Sequence, residues 1–242
     1  MDRMPPRPKA PARSAKSVKS AKKPTIPTPG LPPADKLTPF TTEVQDEGLY
    51  DYLHAEGRTW DPTTVAEHAR FSQCAFTDVT LQGGAWSQAA FSDVRFEDSR
   101  LLAPDLSASH WRDAEVRRGI ASGVQWFGAD VRRTHFAEVK LDSVNFRDAT
   151  LTDVVFTDCL LRDADFAGAT LVRVRFPGCT FERADFGRVK LTGVDFRRAR
   201  LEFKSGLDSL RGAVIDTGQL VELAPAFAAH LGITISDEAD GD

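Results

Sequence analysis

The chain has 242 residues, 41% of them apolar and 27% charged, with 31 Lys or Arg against 35 Asp or Glu for a net charge of −4. That content suffices for one sizeable core, and no apolar run approaches a membrane span or a signal-peptide core, which points to a cytoplasmic protein. Three cysteines, Cys74, Cys159 and Cys179, are too few for a disulfide framework and fit a reducing compartment.

Residues 1–39 are rich in Pro, Ala, Lys and Ser, bury almost nothing, and are expected to be disordered. Residues 1–36 hold nine Lys or Arg against Asp2 and Asp35, or +7, so the remainder carries −11. Lys16, Lys19, Lys22 and Lys23 are suited to contact nucleic acid or another polyanion through this tail. Residues 40–70 place Leu49, Tyr50, Tyr52, Leu53, Trp60 and Val65 outside the pattern that follows, as an N-terminal cap closing the first coil.

From Phe71 to Leu201 every fifth residue is apolar, as in Phe71, Phe76, Leu81, Trp86, Phe91 and Phe96 or Phe156, Leu161, Phe166 and Leu171. Two residues before each stands a small side chain, such as Cys74, Val79, Ala164, Ala169, Cys179 or Ala184. A period of five walks around an α-helix, and in a flat strand it sends successive large side chains to opposite faces. Both are excluded. The pattern fits short extended pieces in which the small and the large residue both point inward, each followed by a bend in one sense, so that the chain winds into an all-β solenoid. Repeat-like positions continue through Leu210, Ala213 and Ile215, so the solenoid is placed at 71–215. Pro104, Ser109, Gly119 and Ala121 make 104–126 its weakest stretch, with Trp111 and Trp126 available to fill volume.

Residues 216–233 read as a helix: Asp216 as N-cap, Gln219 three further on, apolar Leu220, Leu223, Phe227 and Leu231, and Gly232 as stop. Pro225 should kink or divide it. The helix caps the last coil, and residues 234–242 form an acidic tail.

Stretches such as Ala164-Asp165-Phe166-Ala167-Gly168, Ala184-Asp185-Phe186-Gly187-Arg188 and Val194-Asp195-Phe196-Arg197-Arg198 resemble the A(D/N)LXX unit of the pentapeptide-repeat family. The resemblance implies a right-handed quadrilateral β-helix with four pentapeptides per coil. The twenty-seven units then give a little under seven coils, about 32 Å of rod at about 4.8 Å each. The closest likeness in style is to actinobacterial quinolone-resistance, gyrase-interacting members, which implies a homodimer paired end to end through Leu220, Leu223, Phe227 and Leu231.

No catalytic constellation, cofactor cradle, metal-ligand spacing or metal-binding cysteine pair appears, so the protein reads as a non-enzyme without cofactors. Function then falls on the outer faces. With twenty residues per coil, Asp78, Asp98, Glu138 and Asp158 line one column interrupted by Arg118. Asp93, Asp113 and Asp153 line the next, interrupted by Arg133. Regularly spaced carboxylates can face a basic groove much as the phosphates of a duplex do, and the resemblance to the quinolone-resistance members implies a DNA-mimicking partner of DNA gyrase. Against this, residues 71–201 hold eighteen acidic and eighteen basic residues, and the acidity lies in the flanks. The alternative is a scaffold whose basic tail contacts nucleic acid and whose rod offers Ile120, Leu160 and Phe127 to a protein.

Overall fold

The computed structural model describes residues 28–236. They form a solenoid of parallel strands on four faces. One face is an eight-stranded sheet running from Leu49–Asp51 to Lys190–Thr192. The second is a seven-stranded sheet from Thr38–Pro39 to Val155–Thr157, and the third a seven-stranded sheet from Thr59–Trp60 to Thr180–Glu182. Isolated bridges such as Ala85↔Asp105 and Gln125↔Asn145 hold the fourth. Partners lie twenty residues apart, as in Phe91↔Trp111 and Leu141↔Leu161, so four five-residue units make one coil. Eight coils at about 4.8 Å give a rod of roughly 38 Å.

Residues expected to cap the rod from outside the five-residue phase include a coil of their own. Tyr50, Ala55 and Trp60 pair with Phe71, Phe76 and Leu81 at twenty-one residues, while Val65 pairs with Ala85 at twenty. One extra residue between Trp60 and Val65 displaces the phase without breaking the winding. Phe40 and Val44 are buried beneath this coil, Phe40 stacking on Tyr50 at 5.1 Å.

The inward columns are nearly dry. Phe136, Phe156 and Phe176 stack at 4.7 and 5.0 Å, and Phe146, Phe166 and Phe186 at 5.1 and 5.0 Å, almost face to face because parallel strands put identical side chains in register. Burying each such ring stabilises by about 1.5–3 kcal/mol relative to exposure. The small column sits against the wall: at Gly119 an added Cβ would lie 2.7 Å from the Ser99 carbonyl oxygen, so only glycine fits. The stretch 104–126 keeps regular register throughout. Trp111 and Trp126 meet edge to face at 6.0 Å, and Ser109, fully buried, accepts the Trp111 indole N–H at 2.9 Å.

Each unit ends in a left-handed corner, with φ near +50° at Asp78, Asp98, Asp113, Arg118, Arg133 and many others. Asp tolerates this conformation better than most side chains, and glycine without strain. On the fourth face Asp105, Asn145, Asp165 and Asp185, and on the second face Asp195, accept the backbone N–H two residues on at 2.8–3.0 Å. This Asx turn explains why the repeat unit favours Asp or Asn there.

After Leu201 the register slips, and Asp195 bridges Val214 while Leu210, Ala213 and Ile215 pack on the core. Helix α1, Thr217–His230, then closes the end. Asp216 accepts the Gln219 N–H at 3.0 Å, and the Gln219 side chain accepts the Asp216 N–H at 2.9 Å, a reciprocal capping box. Gly232, at φ 72°, and Ile233 return N–H groups to Ala229 and Ala228, a Schellman stop. Pro225, expected to kink or divide the helix, does not divide it: α1 runs through it as one element. Among the described residues no helix is long and apolar enough to cross a membrane.

Candidate interaction surface

All seven acidic residues of the two expected stripes, Asp78, Asp93, Asp98, Asp113, Glu138, Asp153 and Asp158, occupy left-handed corners. Asp78, Asp98, Glu138 and Asp158 share the corner between the second and third faces. Asp93, Asp113 and Asp153 share the corner between the first and second. The periodic backbone stacks each column at one coil per step, so corner side chains twenty residues apart are direct neighbours.

The arginines that looked like interruptions are partners. Arg118 grips Asp98 at 2.9 Å through Nε and also reaches Glu97. Arg133 holds Asp113 at 2.6 Å and Arg173 holds Asp153 at 2.6 Å, both with two nitrogens on two oxygens. Arg183 clasps Asp163 in the same manner. These bonds hold the carboxyls of Asp98, Asp153 and Asp163 below the ordinary aspartate range, hydrogen bonding by the arginine being the main cause. All four pairs join residue i to i+20. That spacing was readable in the chain once its period was known, yet comparing charge with charge along each column was the step that would have exposed it.

Four members of the stripes lie outside these arginine pairs. Asp78 has Arg100 no nearer than 3.9 Å, whereas Glu138 and Asp158 have no ion pair among the described residues. Asp158 folds its carboxylate over Gly178, whose φ of 72° and lack of Cβ leave that space open. Asp93 accepts the backbone N–H of Gly30 at 3.0 Å, fastening the described start of the chain to the rod. Within the two stripes, the unpaired and exposed negative charge therefore lies on the corner of Asp78, Glu138 and Asp158.

Between the stripes lies a half-hidden charge cluster. Glu115 is 7% exposed, with Arg95 Nε at 3.0 Å and His135 Nδ1 at 3.7 Å. Burial pushes its carboxyl up, but His135, Arg95 and Arg117 outweigh burial and hold it below the ordinary glutamate range. His135 donates to or accepts from Thr157 at 3.0 Å through Nε2.

Ile120 and Phe127 are exposed on the third and fourth faces, with Leu160 half-buried. The three cysteines are free and buried in the small column. Burial raises the Cys74 thiol to about 11, and the adjacent Cys159 together with burial raises that of Cys179, so both stay protonated and inert near neutrality. Among the described residues no group of three or more His, Cys, Asp or Glu could hold a metal ion.

The residues expected to pair subunits divide between two tasks. Leu223 is buried against the rod and Phe227 half-buried, while Leu220 and Leu231 are exposed, as are Val221, Ile233 and Ile235. Gln219, which sequence reading treated only as part of a cap, also donates from Nε2 to the Phe196 and Ala199 carbonyls at 2.6 Å each, tying α1 to the last coil. Lys16, Lys19, Lys22 and Lys23 lie outside the described residues.

Among solved structures the chain is similar to full-length QnrB1, a plasmid-mediated fluoroquinolone resistance protein, at 20% identity and a TM-score of 0.58, covering 81% of this chain and 100% of that one. It also aligns with HetL, a pentapeptide repeat protein involved in heterocyst differentiation regulation from the cyanobacterium Nostoc sp. strain PCC 7120, at 12% identity and a TM-score of 0.21, over 70% and 85% of the two chains. No curated protein sequence matches it. The family model of the pentapeptide repeat region matches residues 129–203. That match lies inside a winding whose five-residue register continues on both sides, so residues 129–203 are a pentapeptide repeat region within a longer solenoid of the same period.

Proposed function

We propose that this protein acts by binding another macromolecule, and specifically that it occupies the DNA-binding surface of a type II topoisomerase of the DNA gyrase kind. The observation that carries the reading is the uninterrupted rod, similar over 81% of its length to the fold of a fluoroquinolone resistance protein. Its exterior offers edges and flat faces, where a partner's groove can close around a rod.

Charge decides how strongly such a groove is engaged. Duplex DNA presents one phosphate per about 3.4 Å along each strand, whereas a corner column offers at most one carboxylate per coil, about 4.8 Å. With Asp98, Asp113 and Asp153 held by arginines, the negative contribution comes chiefly from Asp78, Glu138 and Asp158. Binding on this reading is weaker and less salt-dependent than that of a strongly acidic rod.

The exposed apolar residues of α1 and of the segment that follows it, Leu220 and Val221 with Leu231, Ile233 and Ile235, support end-to-end pairing of two chains, which would double the rod presented to a two-fold symmetric enzyme. A supercoiling assay tests the function: the purified protein should inhibit DNA gyrase or protect it from a fluoroquinolone. Absence of either effect at large molar excess removes the gyrase reading. Light scattering of the full chain and of Leu231→Asp tests the pairing separately.

A further inference from the structure

Charge is unevenly spread along the rod. Residues 40–165 hold twelve Lys or Arg against twenty-two Asp or Glu, whereas residues 166–215, which form the last coils, hold ten against five. Lower in the rod, arginines meet carboxylates one coil away, as Arg118 meets Asp98 and Arg133 meets Asp113. Near its C-terminal end Arg188, Lys190, Arg198, Arg200, Lys204 and Arg211 are exposed and make no ion pair among the described residues.

The residues one coil below explain this. Thr170 pairs with Lys190 and Thr180 with Arg200, while Gly168 and Gly178 hold the corners below Arg188 and Arg198. Each corner therefore stacks a cation, a small buried residue and a second cation on Gly, a small buried residue and Thr. The arrangement occurs twice, ten residues or half a coil apart, on diagonally opposite corners. Asp148 and Asp158, two coils below Arg188 and Arg198, fold over the glycines in the space a Cβ would take.

Lys204 and Arg211 join the two corners into an arc over the third, fourth and first faces. Phe203–Ser205 pairs with Ala184–Asp185 and so carries Lys204 onto the fourth face, and Arg211 precedes Gly212, which lies against the Leu191 carbonyl of the first face. Of the acids nearby, Glu182 is held by Arg162 and Asp185 by Ser205, leaving Glu202 and Asp208 against six cations. Glu138 lies three coils below Arg198, about 14 Å, beyond the roughly 10 Å over which charges act at about 0.1 M salt.

The chemistry of the arc selects its partner. Among the described residues no large apolar side chain is exposed between Phe127 and Val214, so the arc lacks the apolar centre that a protein partner or a membrane engages. Cations, the hydroxyls of Thr170 and Thr180, and glycines that permit close approach are the groups that meet backbone phosphates without reading bases.

We propose that this arc binds duplex DNA through its phosphates, without sequence preference. A duplex is too stiff to wrap the arc, so it lies against one corner at a time, beside Arg188 and Lys190 or beside Arg198 and Arg200. DNA binding here is independent of gyrase and survives the failure of that reading.

Fluorescence anisotropy of a short labelled DNA duplex, titrated with the full chain at several salt concentrations, tests it. Two duplexes of unrelated sequence should bind equally, with affinity falling as salt rises. Changing one corner to Gln should weaken binding about twofold, because the other corner remains. Arg188→Gln/Lys190→Gln/Arg198→Gln/Arg200→Gln should weaken it at least about tenfold at low salt and reduce the slope of log affinity against log salt by about 2, near 0.9 for each lost contact. Thr170→Glu/Thr180→Glu, which sets a carboxylate one coil from Lys190 and Arg200 as Glu115 sits beside Arg95, should weaken binding with all four cations in place. Thermal midpoints of these variants should match the parent, since the altered groups lie on the surface. Undetectable binding, a four-Gln variant that binds like the parent, loss confined to a variant with Lys16, Lys19, Lys22 and Lys23 changed to Gln, binding to phosphatidylglycerol vesicles but not to DNA, or salt-dependent self-association that the four Gln changes abolish while DNA binding persists would each overturn the proposal.

Discussion

The interior of the rod and its corners obey different rules, although the same winding makes both. Inside, position alone decides the residue: any Phe, Leu or Trp of suitable size continues a column, and Trp111 next to Val131 is accommodated. At the corners the backbone demands a left-handed conformation but leaves the side chain to solvent, so Asp, Arg, Gln, Ala and Gly all occur. Stability therefore resides in the periodic part, and on the proposed function recognition falls to the aperiodic part. Neighbouring corners then interact chiefly through charge at a spacing of one coil.

The largest expected effect tests the interior. Phe156 is fully buried between Phe136 and Phe176, and Phe156→Ala should cost about 3–5 kcal/mol, read as a lowered midpoint in urea unfolding. A cost below about 1 kcal/mol would mean that the coils collapse around the loss and that the columns are less tightly specified than their register indicates.

Next is the seam where the two regimes meet. Gln219→Ala removes both donors to the Phe196 and Ala199 carbonyls and should cost about 1–3 kcal/mol. The loss should be local, with faster amide exchange in α1 and the last coil and unchanged exchange in the middle coils. Uniformly faster exchange would show that the helix supports the whole rod rather than one end.

At the corners the effect on stability should be small and the effect on recognition larger. Arg118→Gln removes an exposed, solvent-screened pair with Asp98 and should leave thermal stability nearly unchanged, yet frees Asp98 and Glu97 and leaves the column from Asp78 to Asp158 without a positive charge. Inhibition of gyrase should strengthen, whereas Glu138→Gln should weaken it with thermal stability unchanged. If both variants behave like the parent, the corner does not contact the partner.

The smallest effect is the pH dependence near neutrality. Asp98, Asp153, Asp163, Asp195 and Glu115 all have carboxyls lowered in the folded chain. A group lowered on folding stabilises above its unfolded value, and that contribution disappears as pH falls through the folded value. Stability should be flat from pH 7 to about 5 and decline below about 4.5 for Glu115 and 3.8 for the aspartates, the starting values from which they are lowered. Thermal melts across pH 2–7 follow this, and a decline beginning near pH 6 would point instead to histidine.

Much of the fold was legible because a period of five has so few geometric solutions. The core columns, the placement of the cysteines and the cap at Asp216 and Gln219 follow from spacing and residue size. The first coil was not legible as a coil, since the single extra residue between Trp60 and Val65 moves Tyr50, Ala55 and Trp60 out of phase. Pro225 does not divide α1, which continues through it on the surface, where the missing N–H leaves little buried and unpaired. The acidic stripes were legible as columns, and opposite charges one coil apart marked the pairs, while only the structure shows which way each arginine side chain reaches.

By itself the amino-acid order determined that this chain winds, where its large side chains point and which residues share an outer column. Those are consequences of a strict repeat acting on a backbone with few allowed bends. Tertiary structure decided which carboxylates remain free and which end is sealed by Gln219. These depend on contacts made across coils and around corners, where reach, rotamer and hydrogen-bond geometry choose among neighbours that periodicity treats alike.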